Sequence, residues 1–299
     1  MDFDVPVPRM VGEVPVAFSL ERVLFHGVNV VRAAPGPVLG AALLAAMAQL
    51  FPAAVSNVMS LVGTLAFPPG SEESLILSLG SSAVQISGLL FAVPLVPLFS
   101  YGSMAAVARW AAGEPITLMG ILTSFIPVIR AFLYDFGVAT VRLVLALLFI
   151  IPAVLLGVFA VFGGSTAMIP IGVAAVAILV VYIPVALFFG VRFALGGVIA
   201  AVDDHDGWPL SALQQTWQAT GTGAGFLTVA VLGLIGGCAD ALLGGLLGVF
   251  FLGIPLIAAV HAVLNAGMAL AWLEASRAPE VLAQMPYFRD LTSGPAEPA

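Results

Sequence analysis

The stretch Pro209-Leu-Ser-Ala-Leu-Gln-Gln-Thr-Trp-Gln-Ala-Thr220 is too polar to span a bilayer, yet it stands between long apolar segments. Its large apolar residues fall at the spacing of one helix face: Leu210, Leu213 and Trp217. This pattern predicts an amphipathic helix that lies along the membrane surface. Similar polar-faced stretches occur at 19–32 and 117–130, and each of the three is followed by two long apolar segments.

Composition places the chain in a membrane. Of its 299 residues 61% are hydrophobic and 8% are charged, whereas soluble globular proteins carry about 25% charged residues. Apolar runs of about 20 residues or more are candidate transmembrane helices. The sequence therefore predicts an all-α integral membrane protein that forms one membrane domain.

Several classes of function are excluded by composition. All nine basic residues are arginines, and a chain without lysine has neither a P-loop of the usual form nor a Schiff-base lysine. The net charge of −7 argues against binding to nucleic acid. The single cysteine, Cys238, excludes a disulfide scaffold, and the sequence contains neither a nucleophile elbow nor an HExxH motif. We therefore expect no enzymatic activity, no cofactor and no metal site.

Six transmembrane helices are predicted, in pairs that follow the three amphipathic stretches. Their expected ranges are 38–67, 75–110, 136–162, 168–202, 224–250 and 254–274. The acidic and proline-rich residues 1–17 predict an extended arm. The membrane domain is expected to cover 18–275, and 276–299 to form a polar tail.

The recurrence of amphipathic stretch, span and span favours a threefold internal repeat. The expected units are about 18–110, 111–205 and 206–275. Each second span also contains a proline: Pro94, Pro184 and Pro255. A proline inside a membrane helix frees a carbonyl group and permits a kink.

The arginines predict the orientation. Most of them fall on the side that carries both ends of the chain, and the three turns on the opposite side contain none. By the positive-inside rule both termini and the three amphipathic stretches are expected in the cytoplasm. The acidic and proline-rich start is unlike a cleaved signal peptide, so the first span is expected to act as an uncleaved signal. We accordingly predict a multi-pass protein of the bacterial cytoplasmic membrane.

Two arginines inside the predicted spans are candidate ligands for an anion. Arg142 and Arg192 are expected at similar depths near the cytoplasmic ends of the third and fourth spans. Because a guanidinium group pairs well with phosphate, the two could hold a lipid headgroup. The alternative is that both extend to the headgroup layer or pair with Asp135, which lies on the same helix face as Arg142.

A second candidate site combines Asp240 on the fifth span with His261 and Asn265 on the sixth. The short connection between these spans places Asp240 and His261 at comparable depth. A buried carboxylate–imidazole pair can relay protons, or it can simply join two helices by a hydrogen bond. The sequence reveals no polar line that continues from this pair across the membrane.

The acidic stretch Asp203-Asp-His-Asp206 also contains metal-ligating side chains. The residues are consecutive and match neither an EF-hand nor a histidine-spaced zinc site. A solvated loop that caps a helix is the favoured interpretation.

Two short motifs resemble a known family. The segment Trp208-Pro-Leu-Ser-Ala-Leu-Gln-Gln-Thr-Trp217 and the segment Gly113-Glu-Pro-Ile-Thr-Leu118 are similar to motifs of poorly characterised bacterial six-helix proteins. That family is related to the membrane domain of glycerophosphodiester phosphodiesterases, and the resemblance covers most of 19–275. In that family the phosphodiesterase chemistry belongs to a separate barrel domain. The resemblance therefore implies a membrane module, and no catalytic residue is carried over.

The favoured function is a non-enzymatic membrane module that engages lipid or a membrane protein partner through its cytoplasmic face. The alternative is a small transporter or permease, supported by the internal repeat, the prolines in the second spans and the pair of Asp240 and His261. A lipid enzyme within the membrane is the third hypothesis. It requires an acid, a base and a phosphate ligand at one depth, which the sequence does not supply.

Overall fold

The computed structural model describes residues 18–68, 70–162, 165–203, 210–244 and 253–292. These residues are mostly helical, and no strand occurs among them. In chain order the helices are α1 Leu20–Ala33, α2 Pro35–Ala66, α3 Glu72–Ala111, α4 Leu118–Leu122, α5 Phe125–Phe162, α6 Ser165–Phe193, α7 Gly196–Val202, α8 Leu210–Ala219, α9 Gly223–Cys238, the π-helical segment Ala239–Gly244 that continues α9, α10 Gly253–Ser276, α11 Pro279–Gln284 and α12 Pro286–Thr292.

Six helical segments of the described residues are long and apolar enough to cross a membrane. They are Pro35–Ala66, Glu72–Ala111, Phe125–Phe159, Ile169–Val202, Gly223–Leu242 and Gly253–Ser276. The prediction of six spans in a multi-pass membrane protein is thereby confirmed at the level of helix length and composition. The predicted N-terminal arm at 1–17 lies outside the described residues.

The first and third polar-faced stretches form the single helices α1 and α8. Ser19 caps α1, because its hydroxyl accepts a hydrogen bond from Arg22 N–H at 3.4 Å. The second stretch differs from the continuous helix expected over 117–130. The Thr123 and Ser124 hydroxyls donate back to carbonyls of α4 and end it, and α5 begins at Phe125. Pro127 suits the first turn of a new helix, where its missing N–H costs nothing.

The fourth predicted span is broken near its end into α6 and α7. Arg142 Nη2 donates to the carbonyl of Gly190 at 3.2 Å, and Ala194 N–H donates to the carbonyl of Val191. The Tyr134 ring lies so close to Gly196 that a Cβ at 196 would be 1.9 Å from Tyr134 Cζ. Because Gly196 has no Cβ, α7 approaches α5 more closely than any other residue at this position would allow.

The packing of the short helices follows a regular order. Each short helix packs against the second span of a pair of spans. The helix α4 packs on α3, α8 packs on α7 at the end of the fourth span, and α1 packs on α10 of the last pair. The helices α3, α7 and α10 also contact one another and form the centre of the bundle. We call the side formed by α1, α4, α8 and α12 the short-helix face, and the opposite side the far face.

The bundle is densest beside α10 and loosest around α5 and α6. Small residues of α2, among them Ala41 and Ala45, are buried, and α2 packs on both α3 and α10. The most apolar windows of α5 and α6 contain almost no buried residue. Such a surface is typical of helices that face lipid. Of the three prolines noted in the second spans, Pro255 lies in the first turn of α10, whereas Pro94 and Pro184 are internal to their helices.

The described part of the polar tail expected over 276–299 contains two short helices. Helices α11 and α12 return to the bundle, and Phe288 is buried. The Tyr287 ring packs on Trp110 at the end of α3, with ring centroids 4.9 Å apart. Aromatic residues within a polar segment thus anchor it to the short-helix face.

Candidate functional sites

Asp240 and His261 form the contact that the sequence suggested. Asp240 Oδ1 and His261 Nε2 are 2.9 Å apart, so that the π-helical segment is linked to α10. The two side chains remain 34% and 32% exposed, respectively. This pair is therefore only partly enclosed by the described residues. Cys238, two residues before Asp240, is also exposed.

Asn265 lies one turn further along α10 and is buried, with a relative exposure of 9%. Continuing along the same helix face, Trp272 donates its indole N–H to Asp203 Oδ2 at 2.8 Å. Asp203 also binds Arg277 Nη2 at 2.6 Å through its other oxygen. The carboxylate of Asp203, which sequence reasoning placed in a possible cation-binding loop, is thus occupied by two protein donors. Residues 204–206 lie outside the described residues.

Arg142 and Arg192 have different partners in the structure. Arg142 is exposed on α5 and caps the Gly190 carbonyl described above. Arg192 Nη1 donates to the Trp217 carbonyl at 3.0 Å and to Thr220 Oγ1 at 3.3 Å. Both therefore use part of their hydrogen-bonding capacity within the protein, and their role as joint anion ligands stays a prediction.

Aromatic rings surround Arg192. Its guanidinium carbon lies 4.8 Å from the ring centroid of Trp217, 5.2 Å from that of Phe188 and 6.0 Å from that of Phe226. Its Nε is buried without a hydrogen-bond partner among the described residues. The cation also lies at the C-terminal end of α8, where the helix dipole favours a positive charge. Arg192 therefore fixes α8 to α6 and α9.

Asp135 binds a partner that the sequence did not indicate. The Tyr101 hydroxyl on α3 donates a hydrogen bond to Asp135 Oδ2 on α5. This contact joins the first and second pairs of spans. Arg142, the partner suggested by sequence spacing, donates its hydrogen bond to Gly190 and interacts with Asp135 electrostatically.

A polar cluster at the short-helix face was missed by sequence reasoning. His26 on α1 is fully buried, and its Nε2 lies 2.9 Å from Glu274 Oε2. Its Nδ1 lies 2.8 Å from the Tyr287 hydroxyl. Arg22 Nη1 contacts the second oxygen of Glu274 at 2.9 Å. Since a carboxylate only accepts hydrogen bonds, His26 Nε2 carries the donated proton in this arrangement.

One signal in the sequence could have revealed the cluster. His26 falls on the helix face of Val23 and Val30, at positions i, i+3 and i+7, and such a face is buried. A histidine there requires polar partners from elements distant in sequence.

The hydroxyl of Tyr287, which contacts His26, is itself perturbed by its surroundings. Burial raises the pKa of Tyr287 above its ordinary value of 10.0. A hydrogen bond with Asn29 opposes this shift, and the Glu274 carboxylate adds to it.

No metal-ligating group of three or more His, Cys, Asp or Glu side chains occurs in the described part of the chain. Comparison with known proteins found no matching family model, no matching curated protein and no matching solved structure.

Proposed function

We propose that the protein is a non-enzymatic module of the bacterial cytoplasmic membrane that engages lipid through its short-helix face. The proposal is carried by one observation: large apolar side chains are exposed on short helices whose other faces are packed on the bundle. Such side chains at the end of a membrane bundle fit the boundary between headgroups and acyl chains.

The helix α1 illustrates the arrangement. Val23 and Val30 are fully buried, whereas Leu24, Phe25 and Val28 are 39%, 45% and 37% exposed. These three side chains expose on the order of 200 Å², and transfer of that area to an apolar medium is worth roughly 5 kcal/mol. Insertion into the acyl boundary would therefore hold α1 against the membrane.

The helices α4 and α8 have comparable exposed side chains. Leu118 and Met119 are exposed on α4, and Leu210 and Trp217 are exposed on α8. Trp is enriched at membrane interfaces because its ring is apolar and its N–H can reach polar groups. All three short helices thus support the same mode of membrane contact.

The positive-inside rule supports a cytoplasmic short-helix face with both termini in the cytoplasm. Arg32 and Arg277 lie at ends of helices on this side, and the sequence around the far turn after α2 contains no basic residue. Arginines near the cytoplasmic leaflet would attract anionic headgroups. Arg142 is a candidate ligand for such a headgroup, because it is exposed and makes one hydrogen bond of 3.2 Å to the protein. Arg192 is the second candidate.

The proposal includes a threefold repeat of short amphipathic helix, outgoing span and returning span. The order of packing, with α1 on α10, α4 on α3 and α8 on α7, is what a cyclic arrangement of three such units requires. The resemblance of 113–118 and 208–217 to a family of six-helix membrane proteins agrees with this view.

Quenching by brominated lipids tests the membrane contact. A tryptophan introduced by Leu24→Trp should be quenched by lipids brominated on the acyl chain, after subtraction of the signal from the four native tryptophans. Ala33→Trp is the matched control. Ala33 is also exposed, but it lies on the opposite side of α1 from Leu24, with the buried face between the two. Equal and weak quenching at both positions would contradict a lipid contact and favour a protein partner.

Native mass spectrometry of the gently extracted protein tests the headgroup ligands. We expect a retained anionic lipid in the wild type, and its loss in the Arg142→Ala and Arg192→Ala double variant. Arg289→Ala removes one positive charge from an exposed position on α12 and should keep the lipid. Retention of the same lipid by all three proteins would rule out this pair of arginines.

A further inference from the structure

One face of the helix α10, which we call the polar face, carries the polar groups of His261, Asn265, Trp272 and Ser276. The apolar Met268 lies between Asn265 and Trp272, and the Trp272 ring is buried in the apolar core. With Met268, these residues recur at i, i+4, i+7, i+11 and i+15, the spacing of one side of a helix. They extend over about 22 Å at 1.5 Å per residue, most of a hydrocarbon core of about 30 Å. The face lies opposite the side of α10 that packs on α1, where Gly267 contacts Val23.

Both ends of this polar face meet a carboxylate from another element. Asp240 contacts His261 toward the far face, and Asp203 binds Trp272 and Arg277 toward the short-helix face. The Ser276 hydroxyl oxygen and Arg277 Nε are buried without a hydrogen-bond partner among the described residues. Buried polar atoms of this kind usually bind ordered water. Ordered water is therefore expected at the short-helix end of the polar face.

Asp240 and His261 lie where an ionisable side chain is energetically costly, and residues of this kind inside a membrane usually serve a function. His261 is eight residues from the start of α10, about 12 Å inside the bundle from its far end. An ionised side chain exposed to the bilayer centre costs roughly 2.5–3.5 kcal/mol even on the mildest scale. Asp240 also lies in a π-helical segment, a distortion that is frequent at functional sites.

We propose that Asp240 and His261 form a proton-binding site within the membrane, and that the polar face of α10 connects it by water to the short-helix face. A proton is the ligand that suits this pair. An imidazole ring gains and loses a proton near neutral pH, whereas alkali and alkaline-earth cations require several oxygen ligands. One carboxylate and one imidazole form a proton-sharing pair and an incomplete metal site.

The surroundings of α10 leave Asp240 as the carboxylate that acts on His261. The charged and titratable side chains of the described elements packed against α10 are Glu21, Arg22, His26 and Arg32 on α1, Glu72, Glu73, Tyr101 and Arg109 on α3, Asp203 after α7, and Cys238 on α9. On α10 itself, Glu274 binds Arg22 and His26 on the opposite face. Asp203 is bound to Arg277.

Access of water is tested by cysteine labelling in a Cys238→Ala background. Asn265→Cys should react with a charged thiol reagent that cannot cross the membrane. Leu234→Cys is the control, because Leu234 is exposed on α9 and lies, like Asn265, eleven residues from the short-helix end of its helix. We expect at least tenfold faster labelling at 265 than at 234. An Asn265→Cys protein as unreactive as the control would overturn the proposed route.

Binding of the proton is tested by nitrogen NMR of the full chain in lipid vesicles. The chain has three histidines, so ¹⁵N-histidine labelling gives few signals, and His261→Gln assigns the one of interest. The His261 ring signals should change between the neutral and doubly protonated forms as the pH is varied, and Asp240→Asn should shift that change. Glu280→Gln, an exposed acid on α11, should leave it in place. A His261 signal that stays in one form, or that ignores Asp240→Asn, would refute the proton site.

Discussion

The contact between α1 and α10 gives the sharpest test of the packing. A Cβ added at Gly267 would lie 1.9 Å from the carbonyl oxygen of Val23, and one added at Gly27 would lie 2.1 Å from that of Val263. Carbon–oxygen contacts of this kind are about 3.3 Å or longer. Gly267→Ala therefore requires α1 to move by about 1.4 Å, because backbone atoms on a rigid helix cannot rotate away.

The expected loss of stability in Gly267→Ala is the difference between the cost of overpacking and the gain in helix propensity. Overpacking of a close contact costs about 1–3 kcal/mol, and the clash with backbone places Gly267→Ala at the upper end. Replacement of a helical glycine by alanine returns up to about 1 kcal/mol of helix propensity. We therefore expect a net destabilisation of about 2 kcal/mol, or an apparent Tm lowered by roughly 3 °C for a chain of 299 residues.

The assay is the fraction of protein that remains monodisperse in detergent after heating, measured by size-exclusion chromatography. Gly233→Ala on α9 is the matched control, since a Cβ there has no atom within 4 Å. This variant should be as stable as the wild type or slightly more stable. If Gly267→Ala matched Gly233→Ala in thermal stability, the inferred close packing of α1 on α10 would be wrong.

Three further predictions concern the polar contacts of the short-helix face. Arg192→Lys should lower the stability by about 1–2 kcal/mol, because an ammonium group cannot reproduce the planar fork and ring stacking of arginine; an unchanged apparent Tm would argue against its anchoring role. Glu274→Gln should weaken the attachment of α1 by about 1–2 kcal/mol, since it removes the charged acceptor of His26, and faster hydrogen exchange of α1 amides would report this. The raised pKa of Tyr287 means that its stabilising contribution is complete below pH 10.0 and is lost as the pH rises further. Protease cleavage after Arg289 should therefore increase above pH 10.0 in the wild type, while Tyr287→Phe should lack this component.

Local sequence patterns were sufficient for the class of the protein and for most of its helices. Six long apolar runs require six spans, because a backbone in hydrocarbon must satisfy its hydrogen bonds within a helix. The depth of Asp240 and His261 followed from counting residues across a short turn, and the two side chains do meet. The helices α1 and α8 followed from the periodicity of their apolar residues. These features depend on spacing along one or two adjacent helices.

The remaining features depend on residues that are far apart in the chain. His26 meets Glu274, and Asp203 meets Trp272, only because the bundle brings α1 and the end of α7 to the end of α10. The division of 117–130 into α4 and the start of α5 depends on hydroxyl groups that bond back to α4. Apolar sequence specifies burial in lipid, but lipid is as apolar as leucine. The arrangement of spans is therefore decided by close packing and polar contacts, which only the tertiary structure assembles.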